Sequence, residues 1–392
     1  MKILIAAACV ALLAIVFYVS RGGPVQAPAG RNDPAGKDIS ARPQAGTWPT
    51  YHGNYSLDGV ADSTVPDAPE KLWKFKAGNR VEVTPVVADG RIHFTTAKGG
   101  LFALNFAGEQ IWKTASEDSF SSPPLLVDGK IVLGTGKGML VAVDAATGKE
   151  LWKYDVGGSV QGTANRIELA GGKKGILAIS QSDGSIHGVD LETGKGAWKS
   201  PPQQRCDGSA GVGGGKIVMG SCAAALHVFS IEKAEKTSDI PLGKDNEVAG
   251  GVAMSGTTAF AGTRSGKLCA VDIAQDKVLW TNADGSGEAF QTPAVGDKWV
   301  IFGADDGKLH GINRETGVKV WSFDTGNRPL SPVIAGNRVV VSSGGTLFVL
   351  DLEKGTKLWS APVSDDISSP AVVGGMILVG GDDSTVTAFG KK

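Results

Sequence analysis

The side chains able to do chemistry are few, and their spacing says more about turns and packing than about a reaction. Besides Cys9, the chain carries Cys206, Cys222 and Cys269. Folding residues 211–216 into a hairpin brings position 206 nearly opposite 222, one residue out of register. In an exported chain that pair could be a disulfide, contributing about 3 kcal/mol on the chain-entropy view. Two buried free thiols are the other reading, and Cys269 reads as a buried thiol. His187, His227 and His310 could serve as metal ligands. They occupy one position of a repeated string, however, where other copies place Phe102, Val141, Cys269, Phe348 and Thr387. Equivalent positions in successive units are spread apart, which denies zinc its convergent ligands, so the three histidines read as packing residues. Asp144, Asp190, Asp272 and Asp351 also recur at one position, where a carboxylate accepting backbone amides closes a turn that Gly148 ends with positive φ. No catalytic, cofactor-binding or metal-binding residue is therefore expected.

The repeated string positions all of these groups. "GMLVAVDAATGKELW" ends at Trp152, and related strings end at Trp112, Trp198, Trp280, Trp321 and Trp359. The interval is near 40 residues, with a double interval between Trp198 and Trp280, as expected of a radial or solenoid architecture. Each copy reads as four short strands: in the second, residues 123–127, 131–135, 140–143 and 150–154, with Asp128-Gly129 as a two-residue hairpin. First strands are expected to begin near Val81, Ser119, Ser159, Arg205, Asn246, Glu288, Arg328 and Asp366, eight in all. The last unit stops after three strands. Lys71 to Phe75 has the outer-strand pattern with no strands before it, so the two chain ends should pair, closing a ring without exposed sheet edges. Four-stranded units with a recurring outer Trp point to an all-β, eight-bladed β-propeller.

Composition agrees. The 392 residues include 56 Gly and only 18 Pro, and formal net charge is −1 with both signs interspersed, so there is no basic face for nucleic acid. Ile3 to Val19 is an apolar stretch, between a secretory core and a full membrane span in length. Residues 1–21 read as an N-terminal membrane anchor or a signal peptide, with Val25-Gln26-Ala27 as a cleavage candidate. Cys9 stands too early in the stretch for a lipoprotein box. Residues 22–46 read as a flexible linker rich in Pro, Gly and Ala, with a reach of ~25–30 Å. Residues 47–392 would then form the propeller, outside the cytoplasm.

The string carried by Ala142, Asp144, Thr147, Gly148 and Trp152 resembles the quinoprotein (PQQ-enzyme) repeat, over about Trp73 to Phe389. The resemblance implies that Trp73, Trp112, Trp152, Trp198, Trp280, Trp321 and Trp359 dock between neighbouring blades. Eight blades are similar both to the quinone-dependent dehydrogenases and to the outer-membrane assembly lipoproteins of the BamB type. Dehydrogenase activity would imply a quinone stacked between a Trp and a disulfide of adjacent cysteines, beside calcium, with an Asp as base. This chain has no adjacent cysteines and no long insertions, so PQQ and calcium are not expected.

Binding is the remaining role. Thr84, Ser122, Ser209, Thr292, Ser331 and Ser369 line the axis because the taper requires small residues. The connections between units are less regular, and they open on one face with Arg80, Glu82, Phe120, Arg205, Asp207, Glu247, Glu288, Phe290, Arg328 and Asp366. Variable loops on a rigid scaffold are where recognition resides. The expectation is a non-catalytic scaffold at the cell envelope that binds a protein partner on this face. The alternatives are a PQQ-dependent dehydrogenase and a small-ligand sensor.

Overall fold

Short β-rich runs in this chain are joined by turns whose residues adopt positive φ, such as Asp128 at 47° and Gly129 at 72°. Such turns match the twist of paired strands and fold each run back on the one before. In the computed structural model, which describes residues 46–233 and 235–392, the result is eight sheets, each built on four antiparallel strands that are consecutive in all but the last. Blades one to seven occupy residues 86–115, 125–155, 165–199, 211–241, 253–282, 294–324 and 333–362. Blade eight takes three strands from residues 371–390 and its outer strand from Glu70–Lys76. Trp73 there pairs with Ala388, and Lys76 with Thr385. The two ends of the sequence thus close an eight-bladed β-propeller. The expected membrane anchor or signal peptide (1–21) and nearly all of the linker (22–46) lie outside the described residues.

The first strands start later than the sequence pattern suggests, at Val86, Leu125, Asn165, Gly211, Ala253, Ala294, Val333 and Ala371. The residues before them run toward the axis with only isolated bridges such as Phe120 to Thr135 and Ile367 to Gly381. Pro85, Pro124, Pro293, Pro332 and Pro370 stand at the threshold. Proline has no N–H to give a ladder, so pairing begins after it.

Every outer strand carries a β-bulge one residue before the Trp position, as between Glu150 and Trp152. The extra residue turns outward, which accounts for exposed Ile111, Leu151, Leu279, Val320 and Leu358. The bulge aims the following Trp at the next blade. Trp152 Nε1 donates to Leu191 O at 2.9 Å. Its ring covers Gly194, where a Cβ would fall 2.6 Å from the indole and φ is 68°. Trp73, Trp112, Trp280 and Trp321 donate in the same way to Phe106, Ala145, Arg314 and Leu352. Trp198 packs into the seam core with its N–H unpaired. Where the Trp is missing, Ser238 takes its place and bonds Asp276, which stands where five other turns have glycine.

The segment from Thr47 to Val65, for which the sequence pattern predicts no element, crosses the end of the axis. The second residue of the first strand in six blades donates its N–H to this segment. Val87, Leu126 and Val212 donate to Trp48 O, Pro49 O and Tyr55 O. Met254, Val295 and Ile334 donate to Ser56 O, Asp58 O and Gly59 O. Val60–Ala61 adds a parallel strand to blade seven. Trp48 and Leu57 are fully buried. His52 places Nδ1 2.7 Å from Leu57 O and Nε2 2.8 Å from Pro332 O. Backbone groups that would otherwise face a wet channel are satisfied by chain instead.

Candidate protein-binding face

The segment 47–65, the plug, lies on the face that carries the first-to-second and third-to-fourth turns. The opposite face carries the interblade connections and the second-to-third turns. Its residues stand on a rigid base, because the inner backbones of adjacent blades touch: a Cβ on Gly250 would run into the carbonyl of Phe290.

On that face the structure gathers a continuous cluster over blades four to seven. Arg264 sits in the second-to-third turn of blade five, held by its N–H to Glu247 O at 2.8 Å. The neighbouring Ser265 donates to Asn246 Oδ1 at 2.6 Å. The Arg264 guanidinium lies 3.2 Å from Glu288 and 3.8 Å from Asp207. It also stacks 5.1 Å from the centre of the Phe290 ring. Arg328 approaches the same ring at 5.6 Å and Asp305 at 3.6 Å. Arg205 pairs with Asp207 at 2.9 Å, and Asp207 also accepts from Gln181 at 2.6 Å. Three guanidiniums and three carboxylates thus surround one half-buried aromatic ring, which two of the guanidiniums grip. Cation–π contacts of this kind hold about 0.5–1 kcal/mol each at exposed sites.

The cluster brings together five of the residues expected from sequence: Arg205, Asp207, Glu288, Phe290 and Arg328. Arg80 and Glu82 pair with each other at 3.1 Å, far from it. Glu247 contributes its backbone carbonyl, and Asp366 is tied to Asp382 through backbone contacts. Phe120 is corrected from surface anchor to core residue. It is 8% exposed, and its bridge to Thr135 turns the ring into a cluster with Leu133 and Val141. Arg264 and Asp305 were missed, because only the connections were read as recognition loops. The second-to-third turns share their face, and the charged pattern Thr263-Arg264-Ser265 was the available signal.

The disulfide reading is also corrected: Cys206 and Cys222 are free thiols. In this hairpin Gly211 pairs with Val218; Cys206 precedes the paired strands and Cys222 follows them, with the Cys222 N–H donating to Arg205 O. Cys206 is buried and Cys222 exposed. Burial pushes the Cys206 thiol up to about 12.

One constellation has the contacts of a nucleophilic triad. Ser221 Oγ lies 2.7 Å from His227 Nε2, and His227 Nδ1 lies 2.5 Å from Asp239. The exposure is inverted for that chemistry, since Ser221 is fully buried and its Oγ accepts the Ala223 N–H while Asp239 faces solvent. A nucleophile must meet substrate, so this relay is packing between strands. His187 and His310 are likewise buried in separate blades. Among the described residues, no three His, Cys, Asp or Glu side chains are grouped to hold a metal ion. The quinone constellation does not fit these residues either: the cysteines are neither adjacent nor bridged, and Tyr51 of the plug reaches the axis, where its hydroxyl bonds Thr292 and Ser331.

Comparison with known proteins adds to this geometry. The family described as "Outer membrane protein assembly factor BamB" matches residues 61–213, 182–366 and 327–392. The curated BamB of Shewanella oneidensis is 31% identical over 104 residues, which is 26% of this chain and 26% of that protein. The aligned stretch spans about a quarter of that relative's length. The solved structure of BamB from Moraxella catarrhalis superposes with a TM-score of 0.70 at 18% identity, covering 83% of this chain and 100% of that one. The quinohemoprotein alcohol dehydrogenase of Comamonas testosteroni does so at 0.70 and 16% identity, covering 90% and 82%. At such identities the two structures establish the fold alone.

Proposed function

Because the chain belongs to the BamB family of outer membrane protein assembly factors, we propose that it is a non-catalytic scaffold of the cell envelope that takes a protein partner on the connection face of blades four to seven. The observation that carries this reading is Phe290 held between Arg264 and Arg328 in a ring of balanced charges. Interfaces place Arg and aromatic anchors inside a polar rim, and a few such anchors carry most of the energy. The opposite face is taken up by turns and the plug, which leaves the connection face for recognition. The family's printed role supports outer-membrane protein assembly as the process served, and the apolar stretch Ile3 to Val19 supports attachment to a membrane on its extracytoplasmic side.

The test is affinity capture from detergent-solubilised envelope membranes with the tagged full chain. Arg205→Glu with Arg328→Glu reverses two charges of the cluster and should weaken capture about tenfold by slowing encounter and loosening the complex. Undiminished capture by this variant would place the interface elsewhere. The scaffold works without PQQ or calcium. Supplying both together with alcohols and an artificial electron acceptor should give no dye reduction, and quinone-dependent reduction would reverse that part of the reading.

A further inference from the structure

Five of the eight seams close by one latch. The indole of one outer strand donates to a carbonyl in the third-to-fourth turn of the next blade and lies on that turn's glycine: Trp73 on Gly108, Trp112 on Gly148, Trp152 on Gly194, Trp280 on Gly317 and Trp321 on Gly355. Blade eight lacks the latch on one side only, because its outer strand comes from the other end of the sequence and no such turn faces Trp359. Blade four lacks it on both sides. Toward blade three, Ala234 stands at the position of the receiving glycine, and Trp198 lies over Gly188 of its own blade with its N–H buried and unpaired. Toward blade five, both halves of the latch are replaced: Ser238 stands for the indole and Asp276 for the glycine, joined by an exposed hydrogen bond of 2.7 Å.

The inner end of blade four is held by the plug. Its first strand, Gly211–Gly213, gives the Val212 N–H to Tyr55 O, and the Val212 carbonyl accepts from Ser56 Oγ at 3.2 Å. Asn165 of blade three donates to Tyr55 O at 2.7 Å and to Ala210 O at 3.0 Å. Met254 of blade five donates its N–H to Ser56 O at 2.7 Å. Two consecutive plug residues thus tie the inner strands of blades three, four and five together. The outer strands of blade four, Ala225–Ser230 and Lys236–Pro241, rely instead on the packing of the two unlatched seams.

We propose that blade four is a hinged leaf of the ring: its outer strands swing away from blades three and five while the plug keeps its inner strand in place and the other blades stay closed. Local opening of this kind draws on the part of a structure with the fewest ties. Arg205 and Asp207 precede the held strand, so the inference stands apart from the partner face. Opening uncovers Cys269. That thiol is fully buried on the third strand of blade five, in the core shared with Leu226, Val228 and Ile240 of blade four.

The experiment is labelling of the folded full chain with iodoacetamide, without denaturant, the modified position being read by peptide mass spectrometry. The comparison is Val141→Cys, which puts a thiol at the same repeat position in the latched seam between blades one and two, where residue 141 is 5% exposed. Cys269 should react about tenfold faster than position 141, the scale set by one missing hydrogen bond. Ser238→Trp with Asp276→Gly rebuilds the latch, Ile273 O taking the part of the Ala145 O that Trp112 uses, and should slow Cys269 without slowing position 141. Trp112→Ser removes the latch from the other seam and should raise labelling at position 141 to the Cys269 rate, so the outcome does not hang on the rebuilt seam. Equal rates at Cys269 and Val141→Cys, or labelling at position 141 that stays slow in the Trp112→Ser chain, would overturn the proposal.

Discussion

The two faces of the ring use their residues in opposite ways. On the turn face, the side chains answer to backbone geometry. Asp144 Oδ1 accepts the Thr147 N–H at 2.8 Å, Gly148 supplies φ 71°, and the plug ties six first strands together through their N–H groups. On the connection face, the side chains of Arg205, Arg264 and Arg328 are held by Asp207, Glu288 and Asp305 and, for the latter two arginines, by the Phe290 ring, and none of these side chains closes a turn. Substitutions on the first face should therefore register as stability, and on the second as binding. That separation, rather than the fold, is what locates function on this molecule.

The sharpest way to break the contrast is at the plug. Trp48→Ala removes a large side chain that is 1% exposed and belongs to the core cluster shared by blades seven, eight and one. It should cost about 3–5 kcal/mol, read as a lowered midpoint in denaturant. A midpoint unchanged from the parent would show that the segment merely rests on the ring. Phe290→Ala is the counterpart on the other face. It should cost about 2 kcal/mol of partner affinity while leaving the midpoint within roughly 0.5 kcal/mol, the usual range for a surface change. Equal losses in both measurements would erase the distinction between the faces.

Acid should act through buried histidines of the seams and the plug rather than through the connection face. Burial first, then the charge of Arg91, lowers the His93 imidazole to about 4; burial, then Lys199, does the same for His187. In the unfolded chain both return to about 6.5 and bind protons sooner than in the folded one. Stability is therefore complete above about pH 6.5 and is lost as pH falls toward 4. The melting temperature should decline across that window, and His93→Phe should flatten the decline, since the buried Nδ1 of His93 has no partner to lose. A melting temperature constant from pH 6.5 to 4 would refute this assignment. The smallest effect is expected from reductant. With Cys206 and Cys222 free, dithiothreitol should not move the melting temperature, and a drop would restore the disulfide.

The ring was legible in the sequence because its determinants are local and repeated. Asp144 with Gly148, the outer Trp and the orphan strand at Lys71 each signal their role within a few residues. Residues 47–65 escaped because they occur once, and their partners are backbone N–H groups of blades spread along the chain, so nothing periodic marks them. A hint was present in Tyr51 and Tyr55, two of the four tyrosines. Five of the cluster's seven residues were readable, but Arg264 and Asp305 come from turns whose lengths match those of other blades, and only the closed ring sets them beside Phe290. Cys206 and Cys222 show the opposite failure. Nearness was correctly read, yet both cysteines lie beyond the paired strands, one buried and the other exposed, where the alternation of a strand does not fix the side chains.

The central claim, that a protein partner is held on the connection face, is tested most directly by light-induced crosslinking. Benzoylphenylalanine would be placed at position 290 or at 147 of the full chain, followed by irradiation in envelope membranes. The account predicts a discrete adduct from 290 and none from 147. An adduct from 147 with none from 290 would contradict it.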